Sequence, residues 1–330
     1  MKKIRIIDLF AGIGGIRMGF QKSYENIECV FTSEWDKYAV ETYKANFNDE
    51  IVHGDITKIE TSAIPNHDIL LAGFPCQPFS QAGLKKGFSD TRGTLFFDIE
   101  RILIEKKPKA FLLENVKQLR GHDKGNTLKT IIEHLKKAGY SNVKYAVLKA
   151  RDFGLPQNRE RIYIIGFLDE NIDFRFPKPL NIETRVGDIL QNKVDSKYTI
   201  SDKLWEGHQR RKRENKLKGK GFGYGIVNRN SEYTNTISAR YYKDGSEILI
   251  QQNGKNPRKL TPREAARLQG FPENFIIPVS DTQAYRQFGN SVAVKVIEQI
   301  AKEMISQLNK SNSNDIKNGS ARVSTYSVNA

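Results

Sequence analysis

The stretch IRIIDLFAGIGG, residues 4–15, is the most informative part of this chain about its fold. The apolar run Ile4–Ile7 predicts a buried strand, and Gly12, Gly14 and Gly15 follow it where a helical pattern begins. Glycines in such a turn let the backbone approach a ligand and leave the amides of the helix N-terminus free to bind it. The stretch therefore predicts a strand, a turn and a helix with a ligand site at the turn.

Apolar runs continue to alternate with helical patterns as far as about Phe167. This alternation is typical of βα units and predicts a parallel sheet covered by helices. The predicted strands are Ile4–Ile7, Glu28–Thr32, Ile69–Ala72, Ala110–Leu113, Lys144–Leu148 and Ile162–Gly166. We therefore expect residues 1–180 to form a doubly wound α/β domain.

The alternation stops after Phe176-Pro177-Lys178-Pro179, where a glycine-rich region with short β-like pieces begins. We expect a second, smaller domain over residues 181–281. Near its end, Thr261 and Glu264 form the pattern of a capping box with proline at the first helical position, and Gly270 marks the end of that helix.

A final helix is predicted by apolar residues that recur every fourth position. These residues are Val292, Val296, Ile300 and Met304. Their face needs a partner that is already folded, so we expect residues 282–308 to return to the first domain. Ser and Asn predominate from Asn309, which predicts a flexible tail over residues 309–330.

The charge of the chain indicates a polyanionic partner. Its 330 residues include 53 Lys and Arg against 38 Asp and Glu, a formal net charge of +15. Residues 181–260 are the densest in positive charge, with 17 basic and 9 acidic residues. This balance favours nucleic acid. The run His208–Lys220, with seven Lys or Arg and one Glu, fits either phosphate contact or a solvated helix or linker.

Several protein classes are excluded. The longest uncharged stretch, Ile69–Leu84, has 16 residues and two prolines, too short for a membrane span. The N-terminal residues lack the apolar core of a signal peptide, so a cytoplasmic location is expected. Only Cys29 and Cys76 are present, which excludes a disulfide framework, and the five histidines show no metal-ligand spacing.

An acidic segment, Ser33-Glu34-Trp35-Asp36, directly follows the second predicted strand. An acid at this place can accept both hydroxyl groups of a ribose, and Trp35 can lie against an adenine ring. A further acid, Asp55, follows in the next turn. Together these residues favour a site for an adenosine-containing cofactor. The alternative is that the glycines only form a turn and the acids only lie at the surface. Its Gly-x-Gly-Gly spacing disfavours a nicotinamide oxidoreductase.

Chemically active side chains also stand where predicted strands end. Cys76 follows the strand Ile69–Ala72 and Glu114 follows Ala110–Leu113, at the edge where open α/β sheets bind ligands. A thiol there is a candidate nucleophile once ionised. Arg159 and Arg161 share a face of extended backbone and could clamp a phosphate or a base oxygen. Taken singly, an inert buried thiol and surface charges are the commoner outcomes.

In this order, the motifs resemble those of bacterial DNA (cytosine-5)-methyltransferases of type II restriction-modification systems. The resemblance extends from about Ile4 to Leu308, and the order of Pro-Cys-Gln, Glu-Asn-Val and Gln-x-Arg-x-Arg makes it specific. It implies an S-adenosylmethionine-dependent methyltransferase fold, that is, a Rossmann-like doubly wound sheet. It also implies that residues 181–281 form a smaller, β-rich target recognition domain.

The resemblance implies a catalytic set of four residues, Cys76, Glu114, Arg159 and Arg161. Cys76 would attack C6 of cytosine while Glu114 protonates or hydrogen-bonds N3, which prepares C5 to accept a methyl group. Arg161 would hold the base oxygen O2, and Arg159 would support the loop or the backbone. The cytosine would first be flipped out of double-stranded DNA.

The resemblance also implies binding residues. Those expected to line the S-adenosylmethionine pocket are Phe10, Gly12, Glu34, Trp35, Asp55, Ile56, Phe74, Asn290 and Ser291. Those expected to contact DNA are Gln77, Ser80, Lys85, Arg92, Thr236, Arg240 and Tyr242. The segments Gly221–Gly225 and Thr236–Gly245 look like recognition regions of enzymes that modify CCNGG, CCWGG or CCGG sites.

Two alternatives stay open. Some members of this family methylate cytosine in transfer RNA, although their recognition segment is shorter than this one. A catalytically inactive DNA-binding module would keep the fold, although Cys76, Glu114 and Arg161 are all present. We expect a monomer without a metal ion, paired functionally with a cognate restriction endonuclease.

Overall fold

A computed structural model describes residues 3–48, 51–74 and 95–323, with side chains up to residue 311. A six-stranded sheet lies at its centre. Its strands are β1 (Ile4–Leu9), β2 (Ile27–Ser33), β3 (Ile69–Gly73), β4 (Ala110–Val116), β5 (Asn142–Lys149) and β6 (Glu160–Phe167). They follow the order β2-β1-β3-β4-β6-β5 across the sheet. All six predicted strands are confirmed, each extended by one or more residues.

The predicted parallel sheet contains one antiparallel strand. Strands β1 to β4 pair in parallel, but β6 runs antiparallel to both β4 and β5. The connection between β5 and β6 contains only the short 3-10 turn Ala150–Phe153. A parallel return needs a crossover of a dozen or more residues, so this short connection reverses the chain.

Helices cover both faces of the sheet. In the described residues the helices are α1 (Gly15–Ser23), α2 (Lys37–Asn46), α3 (Phe96–Lys106), α4 (Asn126–Lys137), α5 (Asp202–Leu217), α6 (Pro262–Leu268), α7 (Asp281–Asn290) and α8 (Val294–Val323). Successive strand residues point to opposite faces. Ile6 accordingly packs in the core that contains residues of α1 and α8, and Ile7 in the core that contains residues of α3 and α4.

The final helix packs along α1, and the four predicted apolar residues are buried at this interface. These residues are Val292, Val296, Ile300 and Met304. The helix does not end at Leu308 but continues to Val323, beyond the predicted start of the tail. Ser and Asn lower helix propensity by only a few tenths of a kcal/mol each, roughly, and no proline interrupts this segment. Residues 324–330 lie outside the described part of the chain.

The region 181–281 shares one apolar core with Ile13, with α7 and with the start of α8, and it has few strand residues. Its described strands, β7 (Ile226–Val227) and β8 (Leu249–Ile250), pair in parallel and have two residues each. The β content is lower than predicted because most backbone groups here bond within turns rather than along ladders. Helix α5, which crosses the basic run of the sequence, is the longest regular element of this region.

The capping box predicted at Thr261 is confirmed. The Glu264 backbone amide donates to the Thr261 hydroxyl at 3.1 Å, and the Thr261 amide donates to the Glu264 carboxylate at 2.9 Å. Gly270 then takes a left-handed conformation, with φ of 82°, just past the helix end. In the described part of the molecule, no helix is long and apolar enough to cross a membrane.

Candidate active site

The candidate active site lies at the edge of the sheet where the parallel strands end. Glu114, near the end of β4, is paired with Gly73 at the end of β3. The Glu114 carboxylate extends over this glycine, because a Cβ atom on Gly73 would lie 3.6 Å from its Oε2. Glu114 is only 8% exposed. The structure therefore brings the predicted acid to the strand end from which the chain continues to Cys76, a residue outside the described ranges.

The antiparallel direction of β6 explains how Arg161 reaches this edge. The second residue of β6 is Arg161, and it lies opposite Val116 at the carboxyl end of β4. From there its Nε lies 3.1 Å from Oε1 of Glu114. In a parallel strand, Arg161 would lie at the opposite edge of the sheet.

Burial and charge act on Glu114 in opposite directions. Removal of its carboxyl from water raises the pKa of Glu114, while the positive charges of Arg161 and Arg159 lower it. The net direction is upward. Glu114 therefore holds a proton more readily than an exposed glutamate, as a group that donates a proton to a ring nitrogen needs to do.

Arg159 points to different partners from Arg161. Its guanidinium donates hydrogen bonds to the carbonyl oxygens of Ile237, Gly289 and Ser291, and the side chain is only 1% exposed. Burial lowers the pKa of Arg159 to about 9, which leaves it protonated at neutral pH. The arrangement fits the expected role of Arg159 in supporting the backbone. It does not fit a site in which Arg159 and Arg161 bind one phosphate or base oxygen together.

The glycine turn and the acidic segment meet at the ends of β1 and β2. The Gly12 amide donates to Oε2 of Glu34 at 2.7 Å, while Oε1 of Glu34 accepts from the amides of Trp35 and Asp36. Asp36 caps α2 by accepting from its first amides. The indole of Trp35 is 82% exposed. Glu34 and Trp35 thus lie side by side at the glycine turn, where both could contact a ligand, while Asp36 has a structural role.

The remaining expected cofactor residues lie around the same edge. The Glu34 amide donates to the His53 carbonyl at 2.8 Å, which brings the Asp55 turn beside the acidic segment. Asp55 accepts from the amide and the hydroxyl of Thr57, and Ile56 is buried in the core below it. Phe74 is also buried, whereas Phe10 is half-buried with a left-handed φ of 55°.

Asn290 and Ser291 reach this site from the far end of the sequence. A Cβ atom on Gly15 would lie 2.7 Å from the Ser291 hydroxyl oxygen, so that serine contacts the start of α1. Asn290, the last residue of α7, is exposed beside it. The backbone at Gly12 borders open space, because a Cβ there would meet no atom within 4 Å. An open glycine turn, an exposed indole and an acid fit an adenosyl group.

Two polar residues inside the recognised motifs have roles that sequence reasoning missed. The Asn115 amide donates to the Phe74 carbonyl at 2.9 Å, and so fixes the chain just before the Pro-Cys-Gln motif. Gln157 is fully buried; its Oε1 accepts from the Ile237 amide, and its amide donates to Gln269. Such long-range partners leave no periodic signal in the sequence.

The described DNA-contact candidates lie on a segment that packs against the site. The Thr236 hydroxyl donates to the Asn158 carbonyl at 2.7 Å, Tyr242 is half-buried, and the Arg240 side chain is exposed. The backbone of Ser238 passes so close to Gly289 that a Cβ there would be 2.3 Å from it. The candidates Gln77, Ser80, Lys85 and Arg92 lie outside the described residues. Within the described ranges, no cluster of potential metal ligands occurs.

A family model described as C-5 cytosine-specific DNA methylase matches residues 4–306. The chain is 71% identical over 300 residues to the type II methyltransferase M.NlaX of Neisseria lactamica, covering 91% of this chain and 96% of that protein. It is 68% identical to M1.ScrFI of Lactococcus lactis subsp. cremoris, covering 94% of this chain and 80% of that protein.

Solved structures show a similar fold at low sequence identity. The S. pombe Dnmt2 methyltransferase has a TM-score of 0.78 and 21% identity, covering 93% of this chain and all of that chain. The Entamoeba histolytica methyltransferase EhMeth has a TM-score of 0.76 and 24% identity, covering 93% and 99%. These neighbours support the Rossmann-like methyltransferase fold.

Proposed function

The chain belongs to the family of C-5 cytosine-specific DNA methylases, and we propose that it methylates C5 of cytosine at one specific site in double-stranded DNA. The observation that carries the proposal is the buried Glu114 carboxyl, paired with Arg161 at the sheet edge where β3 ends, a few residues before the Pro-Cys-Gln motif in the sequence. Its relatives are named type II methyltransferases. We therefore infer that it protects DNA from a cognate restriction endonuclease.

Cys76 is the proposed nucleophile. It follows Gly73 by three residues in the sequence, and three residues span at most about 11 Å of backbone, a reach that supports a role beside Glu114. The thiolate attacks C6 of the extruded cytosine and forms a covalent bond. C5 then forms a bond to the transferred methyl group, its proton is lost to a base, and elimination of the thiolate restores the aromatic ring as 5-methylcytosine.

Glu114 and Arg161 stabilise the charge that this attack creates. As the sulfur adds to C6, electron density moves onto N3, and a protonated Glu114 supplies a hydrogen bond or a proton there. Arg161 orients the carboxyl and binds O2 of the base. The raised pKa of Glu114 supports this role because it keeps a proton within reach of N3.

S-adenosylmethionine is the proposed cofactor and supplies an electrophilic methyl group when bound. Glu34 would accept hydrogen bonds from the ribose hydroxyls, and the exposed Trp35 would hold the adenine. The open backbone at Gly12, together with Asn290 and Ser291 near the start of α1, would complete the pocket, and Phe10, Asp55, Ile56 and Phe74 would form its other walls. Support comes from the convergence of these segments at one edge of the sheet.

We propose that residues 1–180 and 282–308 form the catalytic domain and residues 181–281 the target recognition domain. Thr236, Arg240 and Tyr242 lie on the segment that contacts the site, which supports a role in DNA recognition. Arg240 can bind guanine O6 and N7 from the major groove. Gln77, Ser80, Lys85 and Arg92 are the proposed DNA contacts on the catalytic side, and the proposed site is of the CCNGG, CCWGG or CCGG type.

The test is methyl transfer from S-adenosylmethionine to unmethylated plasmid DNA by the purified protein, read by bisulfite sequencing. We expect protected cytosines in one recurring sequence context. Unmodified cytosines throughout the plasmid would overturn the proposal. Transfer RNA serves as a parallel substrate, and labelling of RNA alone would favour the tRNA alternative.

A further inference from the structure

Helix α5 is attached to the recognition segment by one face. On that face His208 is only 1% exposed, with its Nε2 at 3.1 Å from the Asp244 carbonyl oxygen. One helical turn later, Arg211 donates to the Asp244 carboxylate at 3.1 Å and to the ring of His208. Lys212 lies over the ring of Tyr224, with its Nζ 4.3 Å from the ring centroid. Two of the seven basic residues in this run therefore hold the helix in place.

The other five basic residues point away from the protein. We call them the basic surface, and they are Arg210, Arg213, Lys216, Lys218 and Lys220. Within the described ranges, the only acidic group within 4 Å of any of them is Glu214, 3.8 Å from Arg210. Their charges are therefore not neutralised inside the fold.

The basic surface lies close to the predicted base-reading residue. Arg240 and Asp244 lie in one run of hydrogen-bonded turns, in which the Lys243 amide donates to the Arg240 carbonyl at 2.9 Å. Asp244, four residues after Arg240, itself accepts a hydrogen bond from Arg211 on α5. The backbone at Arg240 is thus linked through Asp244 to Arg211 of α5.

Exposed apolar side chains occur at the same end of α5. Leu217 is 88% exposed and Phe222 is 52% exposed, beside the charges of the basic surface. The cationic groups suit phosphates, and the apolar side chains suit the sugars between them, so the surface suits a sugar–phosphate backbone. Duplex DNA carries one negative charge per about 1.7 Å of its axis, so several phosphates fall within the length of this helix end.

We propose that the basic surface binds the DNA backbone beside the target site and does so independently of base sequence. The inference rests on the proposed function, because it assumes that Arg240 faces DNA. These contacts would position the duplex, while base contacts made elsewhere select the site.

The test is a triple variant, Arg213→Gln, Lys216→Gln and Lys220→Gln. The control triple variant, Lys107→Gln, Lys136→Gln and Lys137→Gln, removes the same charge from exposed residues before β4 and β5, at the amino edge of the sheet. Equilibrium binding to a duplex with the methylated site and to one without it is measured at a series of salt concentrations by fluorescence anisotropy. Thermal unfolding checks that both variants fold.

Each lost phosphate contact reduces the slope of log affinity against log salt by about 0.9, so the α5 variant should lose about 2.7 on both duplexes. The control variant should keep the slope of the unmodified protein. An unchanged slope in the α5 variant, or an equal loss in both variants, would overturn the inference. A protein that shows the slope change but methylates no cytosine would refute the proposed function and leave the basic surface standing.

Discussion

Nε of Arg161 lies 3.1 Å from Oε1 of Glu114, on neighbouring antiparallel strands that meet at the edge of the sheet. Both side chains are largely buried, at 16% and 10% exposure. A buried carboxyl that has lost its cationic partner is costly to ionise and poorly oriented. The pair is therefore a unit in which each member depends on the other.

Replacement of Arg161 by alanine should reduce methyl transfer about 10²- to 10³-fold, because both the orientation of Glu114 and the contact to the base are lost. Initial rates with saturating DNA and S-adenosylmethionine measure the effect. Arg175→Ala, at an 84% exposed arginine, is the matched control and should retain full activity. Equal rates for the two variants would exclude a catalytic contribution of Arg161.

Cys76→Ser should abolish methyl transfer while the protein still binds its DNA site, because a serine hydroxyl is not ionised at neutral pH. The measurement pairs a transfer assay with a gel-shift assay on the same duplex. Cys29→Ser is the control, since Cys29 lies within β2 with its sulfur 3.4 Å from the Phe31 carbonyl oxygen. Full transfer by Cys76→Ser would remove the covalent mechanism.

Trp35→Ala should weaken S-adenosylmethionine binding about tenfold, which corresponds to about 1.4 kcal/mol of lost stacking. The indole is 82% exposed in the structure, so its removal should leave the fold intact. Isothermal titration calorimetry gives the dissociation constant directly. Ile104→Ala, at an apolar residue that is 50% exposed on α3, is the control. An unchanged constant in Trp35→Ala would show that the indole does not contact the cofactor.

Arg159→Met should lower the free energy of unfolding by about 3 kcal/mol, because two buried carbonyl groups and one partly buried carbonyl group lose their donor. Urea denaturation followed by circular dichroism measures the loss. The exposed Arg175→Ala variant should change stability by less than about 0.5 kcal/mol. If Arg159→Met loses no more unfolding free energy than Arg175→Ala, water or other groups must replace the guanidinium.

His67 should make the protein less stable in mild acid. Burial lowers the pKa of His67 below its usual value of 6.5, so the folded state binds fewer protons than the unfolded state. The stability present at neutral pH is therefore lost as the pH falls below about 6.5. Denaturation at pH 7.5 and 5.5 gives the difference in unfolding free energy between the two pH values. This difference should be smaller in His67→Asn than in the unmodified protein, and the asparagine amide can still donate to the Pro65 carbonyl. Equal differences in the two proteins would contradict the argument.

The features predicted correctly from the sequence are those that depend on residues close together in the chain. The strands follow from short apolar runs, and the capping box at Thr261 follows from residues three apart. The direction of β6 was missed because the apolar pattern of a strand is the same in either direction. The division of roles between Arg159 and Arg161 was equally hidden, since the partners of Arg159 come from near Ile237 and Gly289.

The close passage of Ser238 over Gly289 limits how this protein can acquire a new target. A recognition segment transplanted from a relative would have to follow the same path past a residue without a side chain, and would have to offer its carbonyl to Arg159. Side chains at the DNA-reading surface can therefore change during evolution, whereas the backbone path at this junction must be kept. Designers of chimeric enzymes face the same restriction and should choose their splice points outside residues 234–241.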